Sequence, residues 1–411
     1  MAISRKETIL HLFEKKIPEH YHSDEIRLSQ VQMALEVASF LHPSQRKRIL
    51  LLEAPVGTGK SLGALVPALN ESTIDRFSTK RINYVTATIN LQGQLMQGEV
   101  PLLQNLGLLK DVILAKGKSH YYCHQELYSL SNINTSKEII DSFNRFFYES
   151  STGQRDEYEQ LYGEIRNEIW GHVSLKATKS DCERCPLSYT CPTNQHRKRF
   201  LLNNQLVITN HEQMIRSLLN HISDPPGSSI VPINPGIIII DEAHHFLENF
   251  LSQIESPITI KKLKGIGNDR QFPYKFKKEY SKIVGHLEKE LEEIAEGVES
   301  LQGRYPIPDS AKSHLSLLLK VLDAALEQLV LQNLENHNKA RANIFSEKLE
   351  STIEIIKPLL DTKKYVHWIT FEEFTFSSIP RNFPTVFREM MNLLIKYNKV
   401  IVMSGTLTRA C

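Results

Sequence analysis

Cysteine is scarce in this sequence, 5 residues in 411, and no apolar run approaches the roughly 20 residues that a membrane helix requires. The densest run, Ile237 to Ile240, is far too short to span a bilayer. Nor does one sign of charge dominate: 49 Lys and Arg stand against 47 Asp and Glu, a net charge of +2. That balance excludes a highly cationic tail and disorder driven by like charge. The opening stretch, Met1 to Lys16, lacks a signal-peptide core, and neither an internal repeat nor a low-complexity linker interrupts the chain. What remains is ordinary globular material, 41% hydrophobic and 23% charged, long enough for two or three domains of about 150 residues. A soluble, cytoplasmic protein without a membrane partner is the expectation.

The few cysteines are grouped. Cys182, Cys185 and Cys191 fall in one short stretch, Cys123 stands upstream, and Cys411 is the last residue. In a reducing compartment such a group more often holds metal than disulfides.

Five short β-branched or aliphatic runs are each followed by polar residues. Ile49 to Leu51 leads into Ala54-Pro55-Val56-Gly57-Thr58-Gly59-Lys60-Ser61, and Ile82 to Val85 leads into Thr86-Ala87-Thr88. Leu206 to Ile208 ends at Thr209-Asn210-His211, Ile237 to Ile240 at Asp241-Glu242-Ala243-His244, and Val400 to Met403 at Ser404-Gly405-Thr406-Leu407. Continuous apolar runs of this kind predict a covered parallel sheet with its ligand at the carboxyl ends of the strands. The expected fold class is therefore α/β, one P-loop parallel sheet assembled from three separated pieces. Between them lie two inserts. Residues 115–205 carry the grouped cysteines and aromatic helical sequence such as Phe143 to Tyr162. Residues 256–370 show helical spacing, as in Leu315, Leu318, Leu319, Leu322, Leu326 and Leu329, and are expected to be mostly helical.

Ala54 to Ser61 matches the phosphate-loop pattern with Ala at the first Gly position, between a strand and a helix. Gly57, Thr58 and Gly59 supply backbone N–H groups that can close around phosphate oxygens. Lys60 can reach the β and γ phosphates, and Ser61 offers a hydroxyl to magnesium, at a helix N-terminus that favours anions. Asp241 would hold the Mg2+ ion through water, and Glu242 would orient and deprotonate an attacking water. Taken alone, Asp-Glu-Ala-His also suits an ordinary helix start.

These two motifs, with Arg27-Leu28-Ser29-Gln30-Val31-Gln32-Met33 ahead of the loop and Ser404-Gly405-Thr406-Leu407-Thr408 at the end, resemble the superfamily 2 DEAH-type helicases of the XPD and DinG group. Leu91-Gln92-Gly93-Gln94-Leu95 resembles that group's motif Ia segment, and both inserts stand where the group has them. The wide gap from the first to the second cysteine resembles the bacterial DinG and YoaA branch. The resemblance implies a RecA-like helicase motor domain 1 made of residues 1–115, 205–255 and 371–411, an iron-sulfur cluster domain at 116–204 and a helical arch at 256–370. It implies that Gln30, helped by Arg27, contacts the adenine of ATP, and that Thr86 and Thr88 lie near the DNA backbone. Cys123, Cys182, Cys185 and Cys191 become the expected ligands of a [4Fe-4S] cluster, with four-thiolate zinc as the competitor.

Basic residues after the last cluster cysteine, Arg197, Lys198 and Arg199, are candidates for DNA contact. A second stretch, Lys261 to Lys278 with Phe272, Tyr274 and Phe276, has the composition of a single-strand groove. The implied activity is ATP-driven 5′ to 3′ movement along single-stranded DNA toward duplex junctions. The sequence ends just after motif III, so a second motor domain, which would supply an arginine to the ATP site, is expected to act in trans, leaving this chain weakly active by itself. Two readings from other classes stand beside this one: a DNA- or partner-binding module without catalysis, and an ATP-dependent nuclease, for which no separate acidic constellation is present.

Overall fold

The structure, a computed structural model, describes residues 5–23, 25–74, 81–132, 135–202, 204–223, 226–335 and 339–406. Leu407, Thr408 and Cys411 of the sequence reading lie outside these residues. The chain divides into two compact units, one formed by Met1–Phe250 with Glu389–Cys411 and the other by Leu251–Arg388. Among the described residues the strands are β1 (Ile49–Glu53), β2 (Arg81–Thr86), β3 (Val112–Leu114), β4 (Leu206–Asn210), β5 (Gly236–Ile240), β6 (Ser256–Thr259), β7 (Tyr365–Thr370), β8 (Thr375–Pro380) and β9 (Lys399–Ser404).

The first unit is built on a six-stranded sheet in the order β1-β9-β5-β2-β4-β3, and every pairing in it is parallel. Parallel strands need crossovers that cover both faces, so the central strands are apolar at nearly every position. Every residue of β4 is buried, as are Ile237 to Ile240 of β5 and Ile82 to Thr86 of β2. Register then decides where the polar residues emerge. Glu53 pairs with Ser404, Thr86 with Asn210, Val85 with Ile240, and Ile240 with Val402. The loops after β1, β2, β4, β5 and β9 consequently leave the sheet along one edge. The helix Lys60–Ile74 packs its Ala64, Leu65 and Leu69 into one core with Ala34, Val37 and Phe40 of the helix Leu28–Leu41.

The cysteine-bearing segment has an aromatic core of its own. Phe143 stacks on Tyr122 at 5.3 Å and on Tyr158 at 4.5 Å between ring centroids, with Phe146 and Trp170 in the same cluster. Though it has this core, the segment falls within the same compact unit as the parallel sheet.

The second unit is mostly helical, in keeping with the helical spacing of residues 256–370, and it adds strands that the spacing does not show. Its long helices, Tyr274–Ala295, Asp309–Glu335 and Lys339–Leu360, are joined by an antiparallel sheet in the order β6-β8-β7. Leu315, Leu318 and Leu322 are fully buried, while Leu319 and Leu326 pack at the margin of the same core. The strands escape sequence reading because they are short and polar: β6 is Ser-Pro-Ile-Thr, and β8 contains Ser377 and Ser378. Because β8 pairs with both β6 and β7, this unit extends to Arg388, past the expected end at 370. The edge strand β3 is likewise a three-residue element that periodicity does not reveal.

One buried side chain ties the entry points of two central strands. Asn398 is fully buried; its Oδ1 accepts from Gly236 N at 2.9 Å, and its Nδ2 donates to Ile233 O at 2.9 Å and Leu394 O at 2.7 Å. Asn398→Ala leaves three backbone groups without partners and is expected to destabilise the first unit by about 2–4 kcal/mol. Urea unfolding followed by circular dichroism checks this; Asn398→Asp, which sets a carboxylate against the Ile233 and Leu394 carbonyls, should lose at least as much.

Candidate nucleotide site and cysteine cavity

Two glycines give the loop after β1 its shape. Gly57 and Gly59 have φ of +88° and +79°, the left-handed region that side chains rarely adopt. At Gly59 there is a second constraint, because an added Cβ would come within 2.0 Å of the Gln30 amide nitrogen. Thr58 turns back on Pro55, its Oγ1 donating to Pro55 O at 2.7 Å. Ala54 N donates to Ser404 O at 3.0 Å, so the loop starts from a point held by the end of β9.

Lys60 and Ser61 open the following helix, and Asp241 and Glu242 follow β5. The structure brings all four together. Lys60 is buried, and its Nζ lies 3.3 Å from Glu242 Oε1. Glu242 takes the left-handed conformation at φ +50°, uncommon for a residue with a Cβ and a small store of strain. Its other oxygen is 3.4 Å from His244 Nδ1, which also meets Ser404 Oγ at 2.7 Å. The phosphate-loop lysine, the candidate base and the serine of the last strand thus form one polar chain. Burial pushes the Asp241 carboxyl above the usual carboxylate range; the hydrogen bond from Tyr84 opposes the rise and the charge of Glu242 adds to it. Tyr84 donates to Asp241 Oδ2 at 2.8 Å, and Glu242 N donates to Asp241 Oδ1 at 2.9 Å.

His211, at the end of β4, supports the same turn from behind. Its Nε2 lies 2.8 Å from Asp241 O and its Nδ1 3.0 Å from the Asn249 amide nitrogen, so a neutral ring protonated on Nε2 satisfies both contacts.

Gln30 is buried, and its Nε2 donates to Gly59 O at 2.9 Å, a clamp on the phosphate loop. Gln30 and Arg27 also line a cavity of about 310 Å³ with Phe13, Tyr21, Gly59 and Glu99. The aromatic wall of Phe13 and Tyr21 was not legible in the sequence, where the opening helix shows no motif.

The expected DNA residues divide. Thr86 is 1% exposed, and its hydroxyl donates to Thr88 O at 2.8 Å, so it has neither the access nor the free proton a phosphate contact needs. Thr88 is exposed at the start of the helix Ile89–Gln97, where its Oγ1 accepts from Leu91 N at 3.3 Å. Arg197 is turned inward and stacks over Tyr121 at 5.3 Å and Phe200 at 5.7 Å. Lys198 and Arg199 are exposed; Lys198 lies over Tyr189, and Arg199 is 3.6 Å from Asp111. In the second basic stretch Phe272 is a core residue, only Tyr274 is fully exposed among the three aromatics, and Lys264 is paired with Glu288. That stretch is largely a solvated helix face over a packed core.

All four cysteines of the described residues line one cavity of about 440 Å³. Cys123 follows a short bridge, Tyr122 with Ser174; Cys182 sits in the helix Lys179–Arg184, which Cys185 ends; Cys191 starts the helix Pro192–Lys198. Burial pushes the Cys123, Cys182 and Cys191 thiols up, and the charges of neighbouring cysteines act in the same direction. His124 is committed elsewhere, with Nδ1 2.8 Å from Tyr122 Oη. Arg197 borders the cavity with its Nη1 buried and without a hydrogen-bond partner.

Across the carboxyl edge of the parallel sheet, a P-loop facing a carboxylate pair makes a candidate phosphate-binding site in an α/β fold. No family model matches the chain. It is 27% identical over 242 residues to the 3′-5′ exonuclease DinG of Bacillus subtilis, covering 57% of this chain and 24% of that protein. With the ATP-dependent DNA helicase DinG of Photobacterium profundum it shares 27% identity over 236 residues, 53% of this chain and 32% of the relative. The ATP-dependent DNA helicase YoaA of Haemophilus influenzae is 25% identical over 254 residues, 61% of this chain and 37% of the relative. A solved structure titled XPD helicase aligns over 94% of this chain and 59% of its own, with a TM-score of 0.49 and 15% identity. Over 53–61% of its length the chain is similar to these DinG and YoaA proteins, and the matches span about a quarter to a little over a third of those curated relatives. Among the described residues no helix is long and apolar enough to cross a membrane.

Burial holds His211 neutral down to about pH 4, and His196, also buried, behaves alike. An unfolded histidine titrates near 6.5. The unfolded chain therefore binds more protons between those values, and stability is complete above about pH 6.5 and falls as pH drops toward 4. His211→Gln is expected to flatten this acid limb by up to about 1.4 kcal/mol per pH unit, measured by urea unfolding at stepped pH.

Proposed function

We propose that this chain is the ATP-binding motor portion of a DinG-type DNA helicase, acting in the intact enzyme by ATP-driven 5′ to 3′ translocation on single-stranded DNA. The observation that carries the reading is the Lys60–Glu242 ion pair set beside Ser61 and Asp241. In this pair the lysine and the base neutralise each other. A triphosphate entering the Gly57–Ser61 loop offers Lys60 a stronger anionic partner, so Glu242 is released toward the position an attacking water would take. Arrival of substrate and arming of the base are then one event. The adenine end fits the cavity of Phe13, Tyr21, Arg27 and Gln30. Through His244 and Ser404 the same event reaches the end of β9. Magnesium, held by Ser61 and Asp241, would neutralise the charge that develops on the phosphates. Completion of the site by a second motor domain belongs to the same proposal.

The residues of the cysteine cavity fit a [4Fe-4S] cluster. Four thiols share it, and a buried guanidinium group borders it without a carboxylate partner among the described residues, as suits an anionic occupant. A zinc ion would draw its sulfurs to about 2.3 Å from one point. Among the described residues no three His, Cys, Asp or Glu side chains come together closely enough to hold a single ion. Cys123, Cys182, Cys185 and Cys191 would hold the cluster, which would supply a rigid covalent junction for the segment; thiol deprotonation would accompany loading. The DNA-facing groups of this proposal are Thr88, Lys198 and Arg199.

Lys60→Ala is expected to lower single-stranded-DNA-dependent ATPase turnover of the chain paired with a second motor domain by at least about 10²-fold, with cluster absorbance unchanged. Without that domain, turnover should stay below one per second, and faster hydrolysis would refute the need for it. Anaerobic purification with iron and sulfide quantitation tests the cluster: Cys182→Ser should lose both, and zinc in their place would overturn this part of the reading.

A further inference from the structure

Tyr84 is the one large polar side chain in the centre of the parallel sheet that touches the nucleotide site, and the proposed mechanism gives it no task. It lies on β2, paired in register with Ile239 of β5, two residues before Asp241. The ring is 1% exposed and fills the core between the sheet and its helices. Its hydroxyl donates to Asp241 Oδ2 at 2.8 Å. A residue of β2 thereby fixes a carboxylate in the loop after β5, an element far away in sequence.

The carboxylate has a second anchor, the Glu242 N–H on Oδ1 at 2.9 Å. With one hydrogen bond on each oxygen, its plane is set before any ligand arrives. The remaining lone pairs are the ones a divalent cation would use. We propose that Tyr84 is a positioning residue that holds Asp241 in place for the divalent cation that accompanies the nucleotide phosphates. This rests on the nucleotide-site reading above. Its consequence is a specific coupling: removing the phenol oxygen should weaken the joint binding of metal and nucleotide while leaving metal-free nucleotide, held by the loop N–H groups and Lys60, nearly untouched.

The test is Tyr84→Phe, which keeps the ring, in the full chain. Binding of a fluorescent ADP derivative is titrated with Mg2+ and with excess EDTA, and Mn2+ replaces Mg2+ for electron paramagnetic resonance of the bound ion. The expected result is a roughly tenfold loss of affinity in the presence of metal and less than a twofold change without it. Equal losses in both conditions, or none in either, would overturn the proposal. Asp241→Asn supplies a second route: combined with Tyr84→Phe, its metal-specific loss should fall short of the sum of the two, and full additivity counts against the positioning role. Failure of the wild-type chain to bind the ADP probe at all would instead remove the nucleotide reading beneath it.

Discussion

Parallel register is the constraint on which the candidate site depends. Glu53 opposite Ser404, Val85 opposite Ile240, and Thr86 opposite Asn210 place the strand ends of the first unit along one edge. Slip any of these pairings by one residue and side chains exchange faces, which would put Tyr84 away from Asp241 and send apolar groups into the loop region. The buried Asn398 at the other edge of the sheet shows how such register is protected, since its amide is bonded to the approaches of both β5 and β9.

Charge in the nucleotide site is arranged as pairs that can exchange partners. Lys60 with Glu242, and Glu242 with His244, are contacts of 3.3 and 3.4 Å rather than tight buried bonds. A pair of that kind is readily given up to a phosphate, whereas Asp241 is fixed by shorter bonds from Tyr84 and a backbone N–H. In the proposed function the movable groups are those that would respond to substrate, and the fixed one is the group that would receive a cation.

The cysteine cavity follows a different logic. Its thiols come from a bridge, the body and end of one short helix, and the start of another, and Cys191 packs at the margin of the aromatic core. The stacked aromatic core of Tyr122, Phe143 and Tyr158 lies beside them and gives the segment shape without closing the cavity. Arg197 turned inward toward that cavity explains why a basic run next to the last cysteine is a poor guide to the DNA surface: two of its three charges face solvent and one does not.

What the sequence settles by itself is whatever depends on contiguous chemistry. The phosphate loop, with two glycines that need positive φ and a lysine and serine at a helix start, is local. So are the covered strands Ile82 to Val85, Leu206 to Ile208 and Ile237 to Ile240, because burial on both faces demands unbroken apolar runs. The cysteine grouping is legible for the same reason. Only the tertiary structure decides the rest. Thr86 and Thr88 are alike in sequence, yet one is buried beneath the other, because alternation along a strand and a helix cap assign them opposite surroundings. Tyr84 reads as one more apolar strand residue until β5 is set beside β2 and its hydroxyl meets Asp241. The strands β6 and β8 carry too little apolar pattern to be seen, and β6 takes its bonds from β8, a partner distant in the chain, whereas β7 and β8 are neighbours in sequence.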